Sequence, residues 1–461
     1  MLALRTDDGE LRDIFETARA DALSHLVAGG QRGPRDVSEQ CPAGAGTVLY
    51  RDSYRAGYGH RSGYYLRDLA HQAVGAQILG LGMRTAAMIE SFLRSADERR
   101  GGWPYWAVNF DHETPLAIDY RGPDDFVREL PAVFELAETV QVLHRWGADP
   151  RWAAEADAVR RIVTAFVDRH DQAPRNGVAE ASGAGIFEGT ASYNELPGIV
   201  LREAGDGFAA QYAATRHVAA LAGGAGAPDP ELEQQARLLR HHYRDVWSRH
   251  PSGDVVCGWT AEGEPVRAWS RESTWFPLLK GLLVDERAGY ELDRVDRLCQ
   301  APETAPRNVE ALTYLPDLYF RHARPEQAWD WMRRIHALRG QPHEVSAQGT
   351  NGSYPEVPFT LLAQIVLGLV GLEPDAPRRT LTLRPGLPSA IGEIELADVP
   401  FGDGAVTVAV TPAECRVINR TSTYLRVRLA DARGFRDPHL GGAAREAGAV
   451  APEGEIRIAR H

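Results

Sequence analysis

The stretch Gly63–Leu81, GYYLRDLAHQAVGAQILGL, decides how this chain is read. It is apolar on nearly every face of a 3.6-residue helix, and such a helix must be buried on every side. Its first half nevertheless carries Tyr64, Arg67, Asp68 and His71. These positions are i, i+3, i+4 and i+7, so the spacing predicts one polar and aromatic stripe on one helical face. A buried Arg–Asp pair is weak evidence of stabilisation, and removing either partner strands a charge. The stripe therefore invites a functional reading beside the plainer one, a pair that satisfies neighbouring helix ends.

Outward from this stretch, helical periodicity runs from Glu10 to about Leu372 with little alternation of period two. Segments 10–28, 84–99, 152–170, 229–249, 289–299 and 325–338 have one charged face. Between them, segments 63–81, 125–146, 207–222, 271–284, 309–320 and 356–372 are apolar all round. Outer and inner helices that alternate in this way describe six consecutive hairpins. A mainly α fold, an (α/α)6 toroid, meets the pattern with short connections. Beyond it, RTLTLRPGLP, GEIELADVPF, AVTVAVTP and YLRVRLAD alternate between Gly and Pro turns. Residues 1–374 thus read as the barrel and 375–461 as a small C-terminal β domain.

Composition narrows the partners. The 461 residues carry 51 Lys and Arg against 63 Asp and Glu, a formal net charge of -12 with no basic arm, which disfavours nucleic acid and anionic membranes. The longest apolar run, FTLLAQIVLGLVGL from Phe359, is interrupted by Gln364 and falls short of the roughly 18 residues of a membrane span. The opening MLALRTDDGELRDIF lacks the pattern of a secretory signal, so a cytoplasmic location is expected. Cys41, Cys257, Cys299 and Cys415 form no CxxC pair, and no glycine-rich phosphate loop opens a helix after a strand. Neither a metal nor a cofactor is expected.

Polar clusters precede or begin each inner helix, whose C-terminal half reads as clean. They include AIDYRGPDDFVREL with Asp119 and Tyr120, RAWSRESTWF with Trp269, Arg271, Glu272 and Trp275, PRNVEALTYLPDLYF, and NGSYPEVPF with Tyr354. Six such clusters at corresponding ends predict one central site on one rim. Carboxylates and aromatics without a metal or cofactor motif suit glycosidic hydrolysis, in which one carboxyl group protonates the leaving oxygen and a second activates water or attacks the sugar. Glu188, Glu195, Glu203 and Asp206 are the candidate acids and Glu356 the candidate base. Tyr64, Arg67, Asp68, His71, Asp119, Tyr120, Arg271, Glu272 and Tyr354 are expected to hold the sugar, with Trp103, Trp106, Trp269 and Trp275 as stacking platforms. Each has a plainer rival: Asp206 as a helix N-cap, Glu356 complementing a helix dipole, His71 as a core histidine.

RDLAHQAVGAQILGL resembles the first inner helix of the six-hairpin glycosidase superfamily, the (α/α)6-barrel glycoside hydrolases related to trehalases, glucoamylases and α-L-rhamnosidases. YPEVPFTLLAQIVLGLVGLEPDAPRRTLTLRPGLP resembles their closing passage, and the likeness covers residues 54–415. The resemblance implies an exo-acting, inverting glycoside hydrolase with a carbohydrate substrate. Its acid would come from the loop holding Glu195 and Asp206, and its base would be Glu356. EAGDGF is similar to the acid segment of trehalases, which favours Asp206. Two alternatives stay open. One is a lyase on the same toroid, using Tyr193 and His71; the other is a non-catalytic carbohydrate-binding protein.

Overall fold

Amphipathic helices alternate with helices buried throughout. The structure is a computed structural model that describes every residue except 1, 118–124, 128–129, 148, 183–184, 187–191, 194–200, 225–228, 268–271, 432, 441–442 and 461; for 100, 125–127, 185–186 and 272–273 it describes the backbone only. In chain order the long helices pair as α1 (Gly9–Ser24) and α2 (Leu66–Ile78), α3 (Gly82–Ser95) and α4 (Leu130–Gly147), α5 (Ala156–His170) and α6 (Gly205–Gly224). They continue as α7 (Pro230–His242) and α8 (Glu272–Leu279), α9 (Arg287–Gln300) and α10 (Val309–Arg321), α11 (Pro325–Leu338) and α12 (Glu356–Ala363). A π-helical turn, Gln364–Leu369, extends α12.

Local chemistry sets the helix starts. Asp8 accepts the Leu11 N–H at 2.7 Å before α1, and Asp229 accepts that of Leu232 at 3.1 Å before Pro230 opens α7. These bonds satisfy donors that have no intrahelical partner. Asn308 does the same for Glu310 at 3.0 Å, which fixes the first turn of α10. The even-numbered helices are the apolar ones, and in α4 every residue from Leu130 to Trp146 is buried.

That burial comes from the neighbours. Helix α2 packs on α4, α4 on α6, α6 on α8, α8 on α10, α10 on α12, and α12 packs back on α2. The odd-numbered helices cover them from outside: α1 lies on α12, α5 on α4 and α6, α7 on α6, α9 on α8 and α11 on α10. The α12–α2 contact is close because Gly75 leaves room for the Phe359 backbone. Among the described residues no helix is long and apolar enough to cross a membrane.

The C-terminal part is β structure. Its strands are β1 (Ala3–Thr6), β2 (Leu372–Asp375), β3 (Thr380–Leu383), β4 (Ile394–Phe401), β5 (Gly404–Val410), β6 (Glu414–Arg420), β7 (Leu425–Leu429), β8 (Arg445–Val450) and β9 (Glu455–Ala459). One sheet has the order β1-β4-β5-β6-β9 and the other β2-β3-β7-β8, where β3 and β7 run parallel. The first strand of the chain thus pairs with β4, Leu4 opposite Leu396. Among the described residues no disulfide joins the cysteines.

Candidate active site

Three apolar helices bring their first turns together. Arg67, Asp68 and His71 come from α2, Glu310, Tyr314 and Asp317 from α10, and Glu356 opens α12. Positions 310, 314 and 317 lie at i, i+4 and i+7, so the two stripes can face each other. His71 Nδ1 lies 2.7 Å from Glu356 Oε1 and its Nε2 3.5 Å from Asp317, while its ring stacks flat on Tyr314 at 3.9 Å between centroids. Arg67 is paired with Glu310 and lies 3.8 Å from Asp68; its guanidinium also covers the Tyr193 ring at 4.9 Å. Tyr354, just before α12, donates to Asp68 at 2.7 Å. Gln364 fixes Asp317 at 3.0 Å.

Oxygens of Asp68, Glu310 and Glu356 all lie within 4.8 Å of one another. Such a trio of oxygen donors suits a hard cation, but here Arg67 and His71 already supply positive charge to its members. Burial and the neighbouring Glu356 raise the Asp68 carboxyl above its usual range, opposed by Arg67 and Tyr354. Burial alone would neutralise His71, but Glu356 and Asp317 outweigh it and lift its pKa to about 9. Burial, reinforced by Glu356, keeps Tyr314 a neutral phenol. Glu356 is completely buried, with Oε1 clamped by His71 and Oε2 without a hydrogen-bond partner among the described residues.

The expected residues divide. Arg67, Asp68, His71, Tyr354 and Glu356 come together. Tyr64 does not: it lies in the short strand Gly63–Tyr65 before α2, and its hydroxyl meets Ser91 at 2.8 Å beside Phe92. The stripe therefore starts at Arg67, because α2 begins only at Leu66. Three expected platforms are core residues instead. Trp103 packs on Phe166 and His170, Trp106 on Tyr65, and Trp275 is completely buried. Asp206 is also fully buried; it accepts Ser192 Oγ on both oxygens, at 2.9 and 2.8 Å, and the Tyr193 N–H at 2.6 Å. It thereby anchors the residue whose ring lies under Arg67. Glu203 accepts Trp247 Nε1 at 2.6 Å and Asn176 Nδ2 at 3.1 Å, a structural role. Asp119, Tyr120, Glu188, Glu195, Trp269 and Arg271 lie outside the described residues, as does the side chain of Glu272.

Sequence reasoning missed Glu310, Tyr314 and Asp317, although their spacing on one helix was the available signal. It also expected clean C-terminal halves in the inner helices, and the structure corrects that. Lys280 lies 2.5 Å from Glu138 and 3.3 Å from Glu135, Arg321 reaches Glu138 at 3.4 Å, and Tyr193 donates to Glu135 at 2.5 Å. Burial would raise the Glu138 carboxyl, but Lys280 and Arg321 hold it well below the usual range. A cavity of about 60 Å3 separates this group from His71 and Tyr314. Its far end is closed by a segment of the β region. There the Arg436 N–H donates to the Arg321 carbonyl at 2.7 Å, Arg436 Nη2 to that of Leu367 at 2.7 Å, and Gln141 to that of His439 at 3.2 Å.

No family model matches the sequence, and no curated protein matches it. Solved structures do resemble it. A GH78-family rhamnosidase of Bacillus sp. GL1 superposes with a TM-score of 0.66 at 13% identity, over 93% of this chain and 42% of that one. An α-L-rhamnosidase of Streptomyces avermitilis, solved with L-rhamnose, gives 0.62 at 9% identity, over 99% and 42%. A GH63 mannosylglycerate hydrolase of Thermus thermophilus, solved with glucose, gives 0.51 at 14%, over 68% and 95%. The chain spans less than half the length of the two rhamnosidases. In fold, the chain resembles these (α/α)6-barrel glycosidase-type enzymes.

Proposed function

We propose that the chain is a glycoside hydrolase whose inner helices close into an (α/α)6 toroid, with Glu356 as the catalytic base. The observation that carries this is the asymmetry of Glu356. His71 holds one oxygen, and among the described residues the other has no hydrogen-bond partner, which leaves it as the oxygen to take a proton from water. Arg67, Asp68, Glu310 and Tyr354 are assigned to sugar hydroxyls, which need both donors and acceptors at fixed positions. Asp206 has both oxygens occupied by Ser192 and Tyr193, which favours Glu195 as the proton donor and leaves Asp206 to position the loop.

The surplus of carboxylates over cations suits a neutral sugar better than a uronate, which disfavours the lyase reading. The segment around Arg436 closes the far end of the axial space, and a blind pocket suits removal of a terminal sugar. A second reading has its own support: oxygens of Asp68 and Glu356 lie within 4.8 Å of each other, short of the roughly 6.5 to 9.5 Å between the carboxyl groups of inverting enzymes. In that case Asp68, whose pKa is raised, is the acid and Glu356 the nucleophile.

Aryl glycosides and short oligosaccharides, screened with NMR detection of the first anomer released, decide between the two. Inversion supports Glu195 with Glu356, and retention supports Asp68 with Glu356. Glu356→Gln should cut turnover by about 10^2 to 10^4-fold in either case. A folded Glu356→Gln protein with unchanged turnover rejects both, and binding without turnover in the wild type marks a carbohydrate-binding protein instead.

A further inference from the structure

A second concavity lies away from this site, at the C-terminal ends of α4 and α6. It is a groove of about 580 Å3 between these helices, α7 and the turn after β2. Five arginines, 145, 216, 237, 240 and 378, face two carboxylates, Glu233 and Asp375, across it. In a chain of net charge -12 such a positive groove needs a reason.

Part of the charge has a structural task. Arg145 is buried, donates to the Pro374 carbonyl at 2.6 Å and lies 3.8 Å from Asp375, which Arg378 also approaches at 3.2 Å. Arg237 has an exposed partner in Glu233 at 3.9 Å. Arg216 and Arg240 differ. Among the described residues neither guanidinium makes an ion pair or a hydrogen bond; Arg216 lies over the Tyr212 ring at 5.6 Å and contributes to holding the buried Asp437 carboxyl low. Arginines near helix C-termini can complement the helix dipole, yet neither of these two side chains reaches a carbonyl.

We propose that this groove binds a phosphate monoester of a small molecule, with Arg216 and Arg240 on the phosphate. Guanidinium forks match phosphate oxygens in geometry and charge, and the volume is that of a small-molecule site rather than of a lone ion. The proposal is independent of the chemistry assigned to Glu356.

Calorimetric titration and thermal shift test it at fixed ionic strength, with inorganic phosphate, glucose 6-phosphate and, as a neutral control, glucose. The wild type is compared with the double variant Arg216→Gln, Arg240→Gln, which removes no hydrogen bond of the fold and whose circular dichroism should match. Both phosphates should bind the wild type, and the double variant should lose roughly tenfold or more in affinity for each guanidinium removed. Tighter binding of glucose 6-phosphate than of inorganic phosphate supports the monoester, and equal binding supports the phosphate contacts alone. Absence of phosphate binding to the wild type at millimolar concentration, or equal binding by the double variant, overturns the proposal.

Discussion

Titrating His71 should separate the wild-type protein from a His71→Gln variant. The imidazole sits between Glu356 at 2.7 Å and Asp317 at 3.5 Å, stacked on Tyr314. Burial disfavours its charge, but the two carboxylates raise its pKa from 6.5 to about 9. The folded value lies above the unfolded one, so the protonated ring stabilises the fold fully below pH 6.5. That contribution declines between 6.5 and about 9 and is gone above. At about 1.4 kcal/mol per pH unit, the window is worth about 3 kcal/mol. Glutamine at 71 retains an amide donor for Glu356 but has no proton to release. Urea unfolding followed by circular dichroism, repeated from below pH 6.5 to above 9, measures the difference. The stability of the wild type relative to the variant should fall by about 3 kcal/mol over that window. Curves that stay parallel across it would refute the ion-pair account of His71 and, with it, the clamp on Glu356.

Two further substitutions probe the frame around the site. Gly75→Ala would drive a methyl group into the Phe359 carbonyl where α2 meets α12, so it should cost about 1 to 3 kcal/mol in thermal or urea unfolding and lower the yield of folded protein. Lys280→Met leaves Glu135 and Glu138 buried together, and should destabilise by about 3 to 5 kcal/mol near neutral pH. The loss should shrink when Glu138→Gln is added; an additive double variant would count against a coupled ion group.

The hairpin pattern was legible because burial and period act together over long segments. Helices apolar on every face have few places to go, and α7, α10 and α11 begin within one residue of the starts expected at 229, 309 and 325. The start of α2 was less legible. Tyr64 and Tyr65 belong to a short strand paired with residues 107–109, a partner more than forty positions away, so helical spacing placed Tyr64 on a face it does not occupy. The tryptophans failed for a related reason: an indole serves a core and a sugar equally well, and only neighbours such as Phe166 or Tyr65 decide between them.

Glu135, Glu138, Lys280 and Arg321 show why a clean helix half was the wrong expectation. Glu135, Glu138 and Lys280 interrupt apolar runs and Arg321 ends one, so read on one helix each looks like an exception. Charges buried singly are prohibitive, but four from three helices balance one another across a shared axis. The balance extends to Asp437, which lies 3.7 Å from His217 and whose carboxyl is held well below its usual range, against burial, by His217 and Arg321. That partner arrives from the β region, about 220 residues further along the chain than α6. The charged lower half thus seats the segment that closes the axial space, whereas the upper cluster around Glu356 keeps one carboxylate oxygen open. Both use buried ionisable groups on the same helices. What distinguishes them is saturation: Glu138 has Lys280 and Arg321 on its two oxygens, and among the described residues Glu356 has one oxygen without a partner.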